Sequence, residues 1–454
     1  MTRFNQVKEG RQIVKVIGSK VHLDFALITT YHEHYILFNI INNYNQKVGK
    51  KKVSKFEMKS KKGQNSSITA KKKEDEGFWT HFLALLLFAI SFLRTTLVWT
   101  ATKQFLDGLP SYLFGLKHEF GYSSATTGFE VARDHKEYLK GRTAIVTGAT
   151  SGLGLETCKA LYANGCNVIL AVRNVEAGNK VAYLLQNANN EKKSKTPNNA
   201  KLTVMYLELG DLSSVRKFAQ KIIDSKLPVS LLINNGGIAF VEELTMTEDK
   251  IEKTFGVNYL GHYVLTQLLL KPVLHVNGPS RVVNVASLAH CCADRNHPVT
   301  NKNLCRINWD KVSKGDYEEH KWNKFAAYGY SKLAMILHAR FLSVEIVENN
   351  FNVTINSCHP GTILETNLPT HVQGGNVIRK VSKFITPFFF KTTQQGCSTQ
   401  VLLACHPKLA GVTGKYFQDC GEATPTYLGT NNVIAKELQQ FSERFVSKIR
   451  TLDE

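Results

Sequence analysis

The sequence predicts an α/β fold, a doubly wound parallel sheet in a single domain that follows a long N-terminal extension. Three observations predict it. From about residue 141, short β-branched runs alternate with amphipathic stretches long enough for a helix. Each run is apolar enough to be buried on both faces, as a strand covered by helices requires. The first run ends in a glycine-rich turn that opens a helix. No repeat at solenoid periods competes with this pattern.

The predicted strands are Thr143–Thr147, Asn167–Val172, Leu202–Leu207, Ser230–Asn234, Arg281–Val285 and Asn352–Ser357. After the first come Gly148, Ala149, Thr150, Ser151, Gly152, Leu153 and Gly154, then a helix-like stretch over Leu155–Ala163. Glycines permit the tight turn and let backbone N–H groups reach a pyrophosphate at the helix N-terminus. Their place between a strand and a helix makes this a nucleotide site, of Rossmann type. The second strand ends in Arg173 and Asn174, and no acid precedes Glu176. An acid there would hold a ribose 2′-hydroxyl, whereas arginine suits a 2′-phosphate, so NADP(H) is expected over NAD.

Tyr328 and Lys332 lie four residues apart, which places them on one face of a helix. A free phenol titrates near about 10, too high for a base at neutral pH. A neighbouring ammonium favours the phenolate, so Lys332 is expected to lower the Tyr328 pKa. Tyr330 has no lysine four residues on and cannot share that role.

With these motifs in hand, the chain from about 141 to 445 resembles the classical short-chain dehydrogenase/reductases. The spacing of Gly148, Gly152 and Gly154 carries the resemblance, with Asn235-Gly236 after the fourth strand and Asn258 in Val257–Gly261. Ser287 at a strand end, the Tyr328/Lys332 pair and the turn Pro360-Gly361-Thr362 complete it. The resemblance implies an alcohol–carbonyl oxidoreductase with Asn258, Ser287, Tyr328 and Lys332 as its catalytic set. Tyr328 would move the proton, Ser287 would hold the substrate oxygen, and Lys332 would also bind the nicotinamide ribose. Asn258 would order a water beside Lys332. Asp211-Leu212 would contact the adenine, and Pro360, Gly361 and Thr362 would face the nicotinamide. Gly236 stands where alanine is usual in the family.

Val168–Asn174, the long Ser287–Tyr328 separation and Cys358–Gly361 resemble retinol dehydrogenases and the oxidoreductase domain of WW-domain oxidoreductases. No WW module is present. The implied substrate is a small lipophilic alcohol or carbonyl, retinoid- or steroid-like. The insert at about 290–325 is polar and is expected to be a surface excursion beside the substrate mouth. Residues 377–391, with four phenylalanines among basic residues, are read as a substrate lobe or an ordinary core helix.

The 454 residues carry 57 Lys+Arg and 37 Asp+Glu, a net +20. Residues 1–76 hold 16 Lys+Arg against 7 Asp+Glu, and they read as a basic, disordered extension. Phe56 is the only aromatic residue among the lysines of 50–73, so no nucleic-acid partner is expected. Residues 77–102 are the most apolar window, with a 12-residue uninterrupted core from Phe82 to Leu93. They are a candidate membrane anchor or a soluble packing helix, and 103–140 connect them to the domain. Localisation follows: at a membrane, with the endoplasmic reticulum as candidate, or in the cytosol if 77–102 is no anchor. A homodimer is an open option. A low-turnover NADP-binding adaptor or a membrane-tethered interaction protein is the alternative function. Hydrophobic content of 43% excludes a wholly disordered chain, and nine cysteines without a Cys-x-x-Cys pair exclude a disulfide scaffold or a zinc motif.

Overall fold

The computed structural model describes residues 117–191, 200–294, 300–301, 306–317, 322–361, 363 and 391–450. The basic extension, the apolar window 77–102, Thr362 and the substrate lobe apart from Lys391 lie outside the described residues. Among the described residues no helix is long and apolar enough to cross a membrane.

Ten strands alternate with the main helices: β1 (Thr143–Thr147), β2 (Asn167–Val172), β3 (Leu202–Tyr206), β4 (Val229–Asn234), β5 (Ser280–Val285), β6 (Thr300–Asn301), β7 (Arg306–Ile307), β8 (Val353–His359), β9 (Tyr416–Gln418) and β10 (Gly421–Ala423). The six predicted strands are present, with ends shifted by no more than two residues. The main helices are α1 (Gly128–Asp134), α2 (Gly152–Ala163), α3 (Val175–Glu191), α4 (Leu212–Ser225), α5 (Gly261–Leu269), α6 (Lys324–Glu348), α7 (Ser398–Cys405) and α8 (Asn432–Arg450). One eight-stranded sheet runs β10-β9-β8-β5-β4-β1-β2-β3, parallel except for the β9–β10 hairpin.

Side chains alternate between the sheet's two faces, as the strand period of two demands. Ile145, Ile169, Leu232, Val282 and Ile355 pack on one side with residues of α4, α5, α6 and α8. Ala144, Val146, Val168, Leu170, Ile233 and Val283 pack on the other with residues of α1, α2 and α7. Both faces are therefore covered, which explains the apolar character of the central strands. Val131, Ala132 and Leu139 are fully buried in the second core, so the described end of the connecting segment is integral to this packing.

The insert between Ser287 and Tyr328 departs from expectation. Ala293, Ile307, Trp309, Val312 and Tyr317 are buried in the first core. Trp309 stacks on Phe255 at 6.1 Å and meets Tyr330 edge-on at 6.4 Å, and Tyr317 stacks on Tyr330 at 5.7 Å. The described part of the insert is a core wrap around α6, not a surface excursion. Its few aromatic residues carry enough area to outweigh the polar residues between them.

Strand order reverses between β1 and β4, because the chain winds outward through β2 and β3 and then returns to the far side of β1. The connections leaving the carboxyl ends of β1 and β4 pass to opposite faces of the sheet, α2 to one and α5 to the other, and leave a crevice.

Candidate active site

The crevice is built first from backbone. Gly148 has φ +66°, and a Cβ there would lie 2.8 Å from Gly236 Cα. A Cβ on Gly154 would collide with Gly148 O and the Asn235 side chain. Gly152 has φ +53° but faces open space. The helix behind it begins at Ser151, whose side chain caps nothing. The first N–H groups of α2 are thus left facing a cradle that a side chain would fill, which fits a pyrophosphate. Thr150 and Leu153 are half-buried and Ser151 is exposed around this turn, and Leu153 reaches toward Gly396.

Thr147 locks the crevice floor. Its Oγ1 accepts from the backbone N–H of Asn235 (2.9 Å) and Gly236 (2.8 Å), and Asn235 Nδ2 donates to Thr147 O (2.9 Å). With both acceptor sites in use, the Thr147 hydroxyl can donate to His262 Nε2 at 2.8 Å. His262 Nδ1 then donates to the Asn258 carbonyl at 2.9 Å, which fixes the tautomer. Burial lowers the His262 pKa to about 4, so the ring stays neutral. Neither Thr147 nor His262 stood out in the sequence, since one hydroxyl in an apolar strand and one histidine in a helix are common. The Asn-Asn-Gly-Gly run was the only signal that something must hold it.

Asn258 sits in a π-helical turn, Gly256–Leu260, that leads into α5. Such turns widen the helix and often mark functional sites. Its Oδ1 accepts from Ile238 N (2.8 Å), and its Nδ2 donates to Ile238 O (2.9 Å) and Ser331 Oγ (2.9 Å). A Cβ on Gly237 would lie 3.0 Å from Asn258 Oδ1 and 3.5 Å from Lys332 Nζ, so these residues converge.

Helix α6 carries Tyr328 and Lys332 on one face, as the spacing required. Tyr328 is half-buried and hydrogen-bonded to Ser287, which follows β5. Lys332 Nζ donates to the Val285 carbonyl at 2.9 Å. Burial raises the Tyr328 pKa and the Ser287 hydrogen bond only partly offsets it. The expected lowering by Lys332 is therefore not what this geometry gives. That ammonium points at the strand end and is itself destabilised, its pKa lowered to about 8 by burial. The Tyr328 phenol therefore stays protonated at neutral pH.

The remaining sequence candidates divide. Arg173 is 73% exposed at the end of β2 and lies 3.6 Å from Glu208 Oε2. Asn174 Oδ1 accepts from Ala177 N (2.9 Å) at the start of α3. Asp211 Oδ1 accepts from Ser213 N (2.8 Å) and Ser214 N (3.2 Å), capping α4, and Leu212 is buried in the core. The acid that stands at the end of β3 is Glu208, and Leu209 packs against Gly236. Pro360 is buried and Gly361 has φ +91°, directly after β8. Among the described residues no group of His, Cys, Asp and Glu could hold a metal ion.

The family profile described as short chain dehydrogenase matches residues 142–294. The short-chain dehydrogenase TIC 32 B, chloroplastic, of Brassica napus is 37% identical over 334 residues, covering 72% of this chain and 95% of its own length. Retinol dehydrogenase 14 of Mus musculus is 34% identical, covering 69% of this chain and 88% of its own. The crystal structure of an uncharacterized protein from Mycobacterium Paratuberculosis is 26% identical, with TM-score 0.49 over 68% of this chain and 94% of its own. The order of the glycine turn, Ser287, Tyr328 and Lys332, together with relatives matched along most of their length, makes this chain a member of the short-chain dehydrogenase family of oxidoreductases.

Proposed function

We propose that this protein is an NADP(H)-dependent oxidoreductase that interconverts an alcohol and a carbonyl on a lipophilic substrate. The observation that carries the proposal is the convergence of Ser287, Tyr328 and Lys332 beside an open glycine cradle. A bound nicotinamide supplies or accepts the hydride. Gly148, Gly152 and Gly154 would hold its pyrophosphate, Arg173 the ribose phosphate, and Lys332 the nicotinamide ribose.

The chain's own residues account for the rest of the reaction. Reduction requires a proton at the carbonyl oxygen as negative charge develops there. The Tyr328 phenol, kept protonated by burial, donates it. Ser287 Oγ, bonded to the same phenol, fixes the position of that oxygen. In the oxidative direction the ionised Tyr328 phenolate receives the alcohol proton.

Apolar surface beside Tyr328 supports a lipophilic substrate. Phe240 and Phe325 are 46% and 55% exposed, and the Phe240 ring lies 5.1 Å from Tyr328 and 5.3 Å from Phe325. Phe240 also holds φ +54°, a conformation that costs a bulky residue energy and projects its ring over the mouth. Retinol dehydrogenases among the relatives point to the same substrate class. Membrane attachment through 77–102 would hold the protein at the phase where such substrates dissolve.

Nicotinamide absorbance tests this with retinal, steroid ketones and medium-chain aldehydes, comparing NADPH with NADH. Turnover that Tyr328→Phe lowers about 100-fold or more supports it. No turnover with any carbonyl would remove the catalytic reading.

A further inference from the structure

Behind the Pro360–Gly361 turn lies a buried ion pair that the chemistry above does not use. Lys391 Nζ is 2.5 Å from Asp419 Oδ1, with side chains only 2% and 9% exposed. The Lys391 stem lies under Gly361: a Cβ there would come within 2.6 Å of Lys391 Cδ and 3.0 Å of Cε. Ile363 and Lys391 also form a parallel bridge, so backbone and side chain of Lys391 both touch the segment after β8.

Asp419 is itself held rigidly. Asp419 and Cys420 form the two-residue turn between β9 and β10, with φ +52° and +65°. Non-glycine residues adopt such angles at a cost, and surrounding contacts must enforce them. Cys420 N donates to Thr399 Oγ1 (3.1 Å), and its thiol donates to Ser398 Oγ (3.2 Å), tying the turn to α7. On the other side, Leu288 N donates to His359 Nδ1 at 3.2 Å, and Leu288 directly follows Ser287. His359 and Gln418 are paired across β8 and β9, one residue before Asp419.

We propose that Lys391, fixed by Asp419, is a positioning residue that sets the Pro360–Gly361 turn against the nicotinamide half of the crevice. The proposal rests on the reading that the crevice holds a nicotinamide nucleotide. A hydrocarbon side chain would fill the same space without desolvating two ions, and such replacements are often neutral or stabilising. What the pair adds is direction: the stem under Gly361 is anchored at its far end to a turn that cannot swivel. Burial pushes the Asp419 carboxyl up, but the Lys391 ammonium and their hydrogen bond outweigh it and hold it low.

The test is the double variant Lys391→Met/Asp419→Asn, which leaves neither charge alone. Three properties are read: thermal unfolding, NADPH affinity, and fluorescence emission of bound NADPH. The glycine cradle and Arg173 are untouched, so affinity is expected within threefold of wild type and the melting temperature nearly unchanged. Emission of the bound nicotinamide is expected to shift toward that of free NADPH, with kcat at least tenfold lower and carbonyl KM little changed. Lys391→Arg, which keeps the charge, is expected to restore part of both signals. If the double variant does not fold, Lys391→Arg alone decides: altered emission in a stable protein supports the proposal, and wild-type emission overturns it. A stable double variant with wild-type emission and kcat also overturns it. Wild-type protein that does not alter NADPH emission overturns the nucleotide reading and this proposal with it. Wild-type protein that alters emission but reduces no carbonyl overturns only the proposed activity.

Discussion

Lys332 Nζ donates to the Val285 carbonyl at 2.9 Å, while the centre of the Tyr328 ring lies 5.7 Å from the same nitrogen. The ammonium is thus committed to the strand end and removed from water. Its pKa falls from 10.5 to about 8, so the unfolded chain binds this proton more tightly than the folded one. The resulting penalty on folding is present in full below pH 8 and fades as pH rises from 8 to 10.5. Lys332→Met should therefore stabilise the protein at pH 7 by about 1–3 kcal/mol, allowing for the carbonyl left unpaired, and lower kcat at least about 100-fold. Denaturant unfolding at pH 7 and pH 10.5 checks this, and the gain should shrink at the higher pH. A destabilised variant would mean that the ammonium is better compensated than its burial implies.

The same group sets a pH limit on reduction. Tyr328, its pKa raised by burial, remains protonated across the neutral range, whereas Lys332 loses its charge near pH 8 in the free protein. The kcat/KM for carbonyl reduction should be flat below about pH 7.5 and fall above about pH 8, by about tenfold per pH unit. Lys332→Arg keeps its charge throughout, so its residual kcat/KM should lack that break. An identical break in both proteins would assign it to another group.

Two glycines of the cradle should respond in opposite ways. A Cβ at Gly154 collides with Gly148 O, which is backbone and cannot swing aside. Gly154→Ala is expected to lose folded protein outright. Gly152 faces open space at φ +53°, so Gly152→Ala should fold with a loss of about 1–2 kcal/mol. Its new methyl occupies the cradle and should weaken NADPH binding at least tenfold. Thermal unfolding and NADPH titration separate the two effects, and unaltered affinity in Gly152→Ala would place the pyrophosphate elsewhere.

The parts legible in the sequence share one property: their residue types are unusual for the place they occupy. Six short β-branched runs between helical stretches betray a parallel sheet, and Gly148, Gly152 and Gly154 betray a backbone that must be approached closely. Tyr328 and Lys332 announce themselves by helical spacing. Lys332's environment was not legible, because burial and the Val285 carbonyl exist only after β5 and α6 pack. Nor was the capping of α4 by Asp211, whose Oδ1 accepts from Ser213 N and Ser214 N only once that helix has formed. Trp309, Val312 and Tyr317 were a missed apolar signal, diluted by the lysines and acids around them.

That missed signal is testable. Trp309 is buried against Phe255 and Tyr330 in the core below α6. Trp309→Ala should cost about 3–5 kcal/mol, whereas a residue of a surface excursion would change stability by less than about 0.5 kcal/mol. Denaturant unfolding distinguishes these, and the small value would return the insert to the surface.

The proposed preference for NADP(H) is testable at Arg173 and Glu208. Glu208 Oε1 accepts from Gly210 N at 3.0 Å, and its Oε2 lies 3.6 Å from Arg173 Nε, so the carboxylate competes for the guanidinium that a 2′-phosphate would need. With Arg173 largely exposed, that pairing is worth about 0.2–1 kcal/mol. Glu208→Gln should accordingly raise the preference for NADPH over NADH by up to about fivefold. Arg173→Ala removes a charge-assisted contact of about 1.5–3 kcal/mol and should weaken NADPH binding by at least tenfold while leaving NADH nearly unaffected. Both effects should diminish at high salt, which screens exposed charges. Titrations of both nucleotides at low and high ionic strength measure this. If Arg173→Ala weakens NADPH and NADH equally, the arginine supports the strand end and reads no phosphate.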